Sequence, residues 1–358
     1  MSLAQLGQAA GPSPEDAQLN VDAVIAKAEP RKGMPFFVRR ILLSLVTLLI
    51  IIAIVTLIPN IAPGDPARKI AGGTASPERL AQVTESLGLN DSVPEQLRNT
   101  FVSVFTLDFG EAFTKPGESV IGLIRTSLWN SLKLVSFALV ILVPLSVSAG
   151  ALAAYKKDTW IDRTIVNGGL ALSSMPEFVA GILLLALLAV PFDFFKVSGA
   201  APPVRIRGEL VEAGVFTQLQ HLLLPALAVL FVYFGYIARV TREGVITALD
   251  SDYSRTAFMK GLSTFSVFRG HILRNALQPT VAVLATQLGY MFGGMIGLEI
   301  VFNYPGLGSL IIDAVQSSDF PVLRAGVITV ALIYMVATLS ADLIIGWMNP
   351  RARLNAEA

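Results

Sequence analysis

Long apolar runs alternate with polar segments along most of this chain, and several runs are long enough to cross a membrane. About 20 apolar residues suffice for a helix to span a bilayer. The stretches that meet this requirement are residues 41–59, 128–155, 164–195, 219–237, 276–301 and 323–348. The pattern therefore predicts an all-α polytopic membrane protein with six transmembrane helices.

Two polar segments at the start of the chain lie outside these runs. Residues 1–33 are rich in Ala, Pro, Gln and Asp and show no apolar period, so we expect a mobile tail ahead of a membrane domain at residues 34–358. Residues 60–127 carry charges of both signs, and the sequence Ser76-Pro77-Glu78 is typical of a helix start. We expect this second segment on the outer side of the membrane.

The distribution of basic residues sets the expected orientation. Loops that remain in the cytoplasm carry an excess of Lys and Arg. Such clusters precede the first run and recur in every second connection: Arg31, Lys32, Arg39 and Arg40; Lys156 to Arg163; residues 239–274; and Arg351 with Arg353. Six spans with this charge pattern place both termini in the cytoplasm.

Composition supports a membrane protein and excludes several kinds of chemistry. The chain is 53% hydrophobic and 15% charged, with a mean hydropathy of +0.64, which is too apolar for a soluble domain of this size. Because it has no cysteine, a disulfide framework, a thiolate metal site and a cysteine nucleophile are excluded. No phosphate-binding loop, nucleophile elbow or zinc-protease helix is present. We therefore expect no enzyme activity, metal or cofactor in this chain, and we interpret His221 and His271 as packing or interfacial residues.

Ionisable residues in or near the apolar runs are candidates for function, because charge is costly to place in lipid. Three of them are close to predicted span ends, where interfacial placement explains them: Lys133, Asp193 and Asp342. For Glu177, which follows Pro176, and for Glu299, a functional role and interfacial placement are about equally supported. We treat Pro176, Glu177 and Glu299 as candidates for a translocation path or gate. Prolines and glycines inside the runs suit such a path, although close packing of small residues explains the glycines between 289 and 297 equally well.

A basic segment between two apolar runs, DYSRTAFMKGLSTFSVFRGHILRNALQP at residues 252–279, is the strongest candidate for an interaction site. Basic and apolar positions alternate in it as in two short amphipathic helices on either side of Gly261. Apolar anchors with basic neighbours are typical of an element that docks into a groove. The alternative is a loop that only fixes topology or contacts anionic lipid headgroups.

At these residues the chain resembles the membrane subunit of a bacterial ATP-binding-cassette importer, in particular the first permease subunit of the dipeptide and oligopeptide group. The similarity extends over about residues 37–353. Besides DYSRTAFMKGL and HILRNALQP, its motifs are PGDP at 63–66, LGLNDSVPEQ at 87–96, SMPEF at 174–178, LLLPALAV at 222–229, EIVFNYPGLG at 299–308 and NPRAR at 349–353. The coupling loop of the family carries a Glu-Ala-Ala triplet before a glycine. Here the triplet reads Arg255-Thr256-Ala257, and the glycine is Gly261.

The resemblance implies a type I importer fold, with residues 239–274 as the coupling loop to a cytoplasmic ATPase. It places Ala257, Lys260 and Gly261 at the ATPase groove, together with Thr256 of the triplet, and makes Arg255 and Arg269 orienting charges. The implied partners are a second, similar permease subunit, two cytoplasmic ATPase subunits that bind ATP and Mg²⁺, an outer substrate-binding protein and membrane lipid. No nucleic acid is expected among them. The implied location is the bacterial inner membrane, and the implied cargo is di- and oligopeptides.

Three alternatives remain open at this point. The same architecture also imports nickel chelates, oligosaccharides and opine-like solutes, and the sequence of a permease does not select among these cargoes. A secondary transporter or channel would need an inverted repeat and ionisable residues near the bilayer midplane. A membrane anchor without transport would need neither broken spans nor a patterned basic loop.

Overall fold

The structure is a computed structural model that describes residues 36–61, 65–72, 75–197, 200, 204–206, 209–211 and 213–348. The expectations for the tail at residues 1–33 and for the basic residues Arg351 and Arg353 lie outside these ranges. In chain order the elements are α1 (Phe36–Ile61), α2 (Pro66–Ala71), α3 (Pro77–Ser86), α4 (Val93–Thr106), α5 (Val120–Tyr155), α6 (Trp160–Ser173), α7 (Glu177–Ala189), β1 (Val204–Ile206), β2 (Glu209–Val211), α8 (Val215–Leu249), α9 (Asp252–Met259), α10 (Thr264–Val267), α11 (Leu273–Val301), α12 (Leu307–Gln316) and α13 (Phe320–Met348).

The long helices confirm the predicted class of fold. Helices α1, α5, α8, α11 and α13 are each long and apolar enough to cross a membrane, and α6 with α7 forms a sixth span if this bent pair is counted as one. The chain bends by 104° between the two halves of this pair. Pro176 explains the break, because proline lacks the N–H that continues a helix and disfavours helical backbone in the residue before it.

Two predicted boundaries differ most from the structure. Helix α5 begins at Val120 rather than near residue 128, because Ser119 caps it by accepting a hydrogen bond from the Gly122 N–H at 3.2 Å. Helix α8 continues to Leu249 rather than ending near residue 237. Hydropathy detects only the apolar part of a helix, so it misses polar turns that extend beyond the membrane. The antiparallel pair of short strands β1 and β2 was not predicted either.

Helix α8 lies at the centre of the bundle and packs against α5, α6, α7 and α11. Glycines permit this close approach. Gly150 of α5 lies against the backbone of Ala238, Gly169 of α6 lies against Gly235, and a Cβ atom at either glycine would collide with α8. Small residues at helix crossings are the usual means of close packing in membranes.

The segment between α1 and α5 is folded and attached to the bundle. As predicted, Ser76 starts helix α3, and its hydroxyl accepts a hydrogen bond from the Arg79 N–H at 3.3 Å. Further along, Thr114 donates from its N–H and its hydroxyl to the buried carboxylate of Asp319, at 2.9 and 2.8 Å. The segment is thereby fixed to the start of α13.

An ion pair joins the first and last spans. The Arg40 Nε atom of α1 lies 2.5 Å from an Asp342 carboxylate oxygen of α13. Asp342 was interpreted from the sequence as an interfacial residue, and the structure adds that Arg40 is its ion-pair partner.

Candidate functional site

The segment expected to dock forms two short helices separated at Gly261, as the sequence predicted. Helix α9 ends where the Gly261 N–H donates to the Phe258 carbonyl at 3.0 Å, and Gly261 has a φ of +76°. A Cβ atom at Gly261 would meet no other atom within 4 Å. The glycine is therefore required for its left-handed backbone and not for lack of space.

One face of this helix pair packs onto the membrane helices. Ala257 is only 5% exposed and belongs to an apolar cluster with Val245 and Ala248 of α8 and Ala276 of α11. The Ser254 hydroxyl donates to the Ala248 carbonyl at 2.6 Å. The Ala257 side chain therefore faces the membrane helices, and its expected place at an ATPase groove stays a prediction.

The opposite face is open and apolar. Met259 is 83% exposed and Phe265 is 72% exposed, and further large side chains on this face are partly exposed: Tyr253, Phe258 and Leu262. We call these five residues the docking face. The sequence contained a signal for it, since the small residues Ser254 and Ala257 stand three positions apart and mark the closely packed side of α9. Phe265 was not singled out from the sequence, because its exposure depends on how the second helix packs.

The predicted polar residues of the segment surround this face. Arg255, Thr256, Lys260 and Arg269 are all exposed. The three basic residues form no ion pair with any residue that the structure describes. Their charges are therefore available to a partner, whereas the Thr256 hydroxyl is bonded to the Asp252 carbonyl of its own helix at 2.8 Å.

A buried ion pair holds the helices beneath the docking face. Arg242 of α8 donates to both carboxylate oxygens of Asp162 in α6, from Nε at 2.5 Å and from Nη2 at 2.6 Å. Asp162 also accepts the Asp158 N–H at 2.9 Å. A two-point contact between planar groups fixes orientation as well as distance, so α6 and α8 are locked together at this end of the bundle.

Glu177 lies where three helices meet. It is the first residue of α7, directly after Pro176, and its carboxylate accepts a hydrogen bond from the Tyr233 hydroxyl of α8 at 2.9 Å. Gly294 of α11 faces this carboxylate so closely that a Cβ atom there would collide with it. The position at a helix N-terminus also favours a negative charge. Glu177 is therefore placed to respond to any movement of α7, α8 or α11.

Glu299 has a different setting, because it joins α11 to the first turn of α12 and to α5. Only 1% of it is exposed, and its carboxylate accepts the Ser131 hydroxyl at 2.6 Å and the Ser309 N–H at 3.0 Å. The Tyr304 hydroxyl donates to the Asn130 carbonyl at 2.8 Å beside it. Burial, and then the negative charge of Glu299, raise the pKa of Tyr304 far above its usual range, so this phenol remains a donor.

A cavity of about 710 Å³ borders Glu299 and is lined by polar side chains that include His221, Asn303 and Asp313. Glu299 lines this cavity, but its carboxylate is already bonded to Ser131 and Ser309. In the described residues, no group of acidic or histidine side chains has the spacing of a metal site. The Glu299 carboxylate is therefore an anchor between helices, and its role at a translocation path stays a prediction.

The candidate residues lie towards opposite ends of α11. The helix pair α9–α10 leads into its first residue, Leu273, whereas Glu177 contacts Gly294 and Glu299 is near its last turn. At about 1.5 Å per residue, some 30 Å separate Leu273 from Gly294. The structure thus does not bring all candidates into one site, but connects two regions through a single helix.

Comparisons with known proteins agree over nearly the whole described chain. Residues 146–354 match the family described as binding-protein-dependent transport system inner membrane component, and residues 34–149 match the family of its N-terminal part. A probable peptide ABC transporter permease protein of Sinorhizobium fredii is 32% identical over 319 residues, which cover 89% of this chain and 99% of the relative. A glutathione transport system permease protein of Salmonella typhimurium is 32% identical over 321 residues, or 89% and 98% of the two chains. A putative peptide transport system permease protein of Brucella abortus is 32% identical over 311 residues, or 86% and 96%.

Proposed function

The chain belongs to the family of inner membrane components of binding-protein-dependent transport systems, and from this premise we propose that it forms half of the path by which an ATP-driven importer moves di- and oligopeptides. As a permease of this family it is a multi-pass inner membrane protein that works with an ATPase and a substrate-binding protein. We further propose that it pairs with a second permease subunit, that two ATPase subunits bind from the cytoplasm, and that both of its termini are cytoplasmic. ATP and Mg²⁺ are held by the ATPase subunits.

The docking face is the observation that carries this proposal. A folded helix pair that leaves Met259 and Phe265 mostly in solvent, with unpaired basic residues around them, has the anchors and the rim of a protein interface. Because Ala257 packs against α8 and α11, the helix pair is a rigid extension of these two helices. A force applied to the docking face is therefore transmitted to the membrane helices.

The mechanism that follows is rigid-body gating. Closure of the ATPase subunits on ATP displaces the docking face, and α11 transmits the displacement to the contacts of Glu177 and Glu299. Because Glu177 is bonded to Tyr233 of α8 and packed on Gly294 of α11, relative motion of these helices changes its environment. The path between the two permeases then opens alternately to either side.

The peptide cargo is supported by the relatives whose names state peptide or glutathione transport. Uptake of labelled di- and oligopeptides by cells with the gene deleted and restored tests it, with nickel chelates, sugars and opine-like solutes as competing cargoes. Loss of peptide uptake alone supports the proposal. Loss of uptake of another solute would replace the cargo and retain the importer, whereas uptake independent of ATP would favour a secondary transporter or channel.

The docking face is tested by Phe265→Ala, with Phe105→Ala of α4 as a matched control, since the two rings are 72% and 73% exposed. Truncating an interface anchor costs about 2 kcal/mol, so we expect assembly with the ATPase to weaken roughly 30-fold. The measurement is the affinity of the purified permease pair for its ATPase subunits, together with peptide-stimulated ATP hydrolysis. Equal effects of the two substitutions would show that this face does not dock.

A further inference from the structure

A second cavity lies far from the docking face, in the folded segment between α1 and α5. It has a volume of about 360 Å³ and is bounded by α3, α4 and the first turns of α13. This volume is at the low end of the range of about 300–1,000 Å³ for small-ligand pockets. Its charged lining residues are Arg324 on one side and three acidic residues on the others: Glu85, Asp91 and Asp108. Neither the coupling mechanism nor the proposed path uses them.

Arg324 is the unusual member of this group. Its Nε atom is buried without a hydrogen-bond partner, and the guanidinium forms no ion pair with any residue in the described ranges. A guanidinium remains charged at all physiological pH values. Arg324 is only partly exposed, so the lack of an ion-pair partner is unfavourable for its charge. An anion bound to Arg324 would neutralise this charge. The guanidinium presents a planar fork of N–H donors, which suits a carboxylate bound at two points.

The acidic residues of the cavity do not supply that anion, because local contacts hold two of them. Asp91 accepts from the Asn99 amide at 3.3 Å, and Asp108 accepts the Gly110 N–H at 3.1 Å. Each keeps free acceptor positions that face the same cavity as Arg324. In the described part of the chain these carboxylates are not grouped as metal ligands. They are therefore suited to an ammonium group that hydrogen-bonds to them.

We propose that this cavity binds a small zwitterion, an amino acid or a short peptide, with its carboxylate on Arg324 and its ammonium group near Asp91 and Asp108. The walls provide both charges, and Glu85 and Asp108 are exposed, so the ligand enters from water. The proposal rests on the peptide cargo proposed above only for the choice of probe. The site is distinct from the path along α11 and serves to hold a ligand at the surface of the permease.

Binding of labelled Ala-Ala to the intact importer in phosphatidylcholine nanodiscs, without the binding protein, tests the proposal. We expect Arg324→Gln to weaken binding at least tenfold, and Ala-Ala amide, which lacks the carboxylate, to bind as weakly to the unmodified protein. Arg79→Gln is the matched control, because Arg79 is an exposed arginine of α3 that does not line this cavity. It should leave binding unchanged.

A second variant keeps the test decisive if Arg324→Gln fails to assemble. Asp91→Asn should weaken the binding of Ala-Ala and leave that of N-acetyl-Ala-Ala unchanged, since only the former has an ammonium group. Equal binding by all variants would overturn the proposal. So would a complex that binds no Ala-Ala but retains phosphatidylethanolamine in an Arg324-dependent manner, because the ligand would then be a lipid headgroup. Peptide uptake by the same variants separates the two proposals, since a failure of this site leaves uptake by the importer intact.

Discussion

The ion pair between Asp162 and Arg242 should contribute much more to stability than the exposed pair between Arg239 and Glu243, which lies within α8. Asp162 and Arg242 have side chains that are 5% and 20% exposed, and they meet at two points. Arg239 and Glu243, also on α8, are 52% and 56% exposed and meet at a single 3.0 Å contact. Both pairs use an arginine of α8, but the buried pair joins α8 to α6, whereas the exposed pair lies within α8.

The expected magnitudes follow from burial. An exposed pair four residues apart on a helix contributes about 0.3–0.5 kcal/mol. Breaking a fully buried pair costs about 3–5 kcal/mol, because the remaining charge stays buried without a partner. Arg242 keeps some contact with solvent, so we expect Asp162→Asn to destabilise by about 2 kcal/mol.

Two double-mutant cycles measure the difference. One combines Asp162→Asn with Arg242→Gln, and the other combines Arg239→Gln with Glu243→Gln. Unfolding in mixed micelles, followed by circular dichroism, gives the interaction energy of each pair. We expect the first energy to exceed the second several-fold. Similar energies for the two pairs would refute the view that the buried pair locks α6 to α8.

Two glycine substitutions, each with another glycine as control, test the contact at Glu177 and the turn at Gly261. Gly294→Ala should destabilise by about 1–3 kcal/mol and reduce peptide uptake, because its Cβ collides with the Glu177 carboxylate, whereas Gly293→Ala meets no atom within 4 Å and should be tolerated. Thermal unfolding and uptake by the same variants decide this, and equal behaviour would argue against the contact. Gly261→Ala should weaken ATPase coupling and destabilise by about 1–2 kcal/mol, because φ is +76° there. Gly270→Ala, at a helical glycine with free space around it, should be neutral or stabilising; a neutral Gly261→Ala would show that the turn is not needed.

Much of the fold could be predicted because it depends on properties that are local in sequence. A lipid-exposed backbone must satisfy its hydrogen bonds within the helix, so a long apolar run is sufficient to predict a span. Ser76 likewise acts on the residues next to it, and a helix start was expected at this position. The interruption at Gly261 is of the same kind, since only glycine readily adopts its backbone angles.

The candidate site was predicted only in part, because which side of an element is packed depends on distant residues. The sequence predicted two short helices at residues 252–279, but the tertiary structure decided that Ala257 faces inward and that Phe265 faces solvent. Glu299 was expected at a path, and the structure showed that Ser131 of α5 binds it.

By itself, therefore, the sequence determined the spans, the helix start at Ser76 and the interruption at Gly261, since each follows from hydropathy or backbone chemistry over a few residues. Only the tertiary structure decided the partners of the charged groups. Asp162 and Arg242 stand 80 positions apart and meet because α6 packs on α8. Among the described residues Arg324 has no ion-pair partner, because Glu85 of α3 and the loop residues Asp91 and Asp108 line a cavity rather than contact its guanidinium. Such pairings depend on how helices pack, and no pattern confined to one helix contains that information.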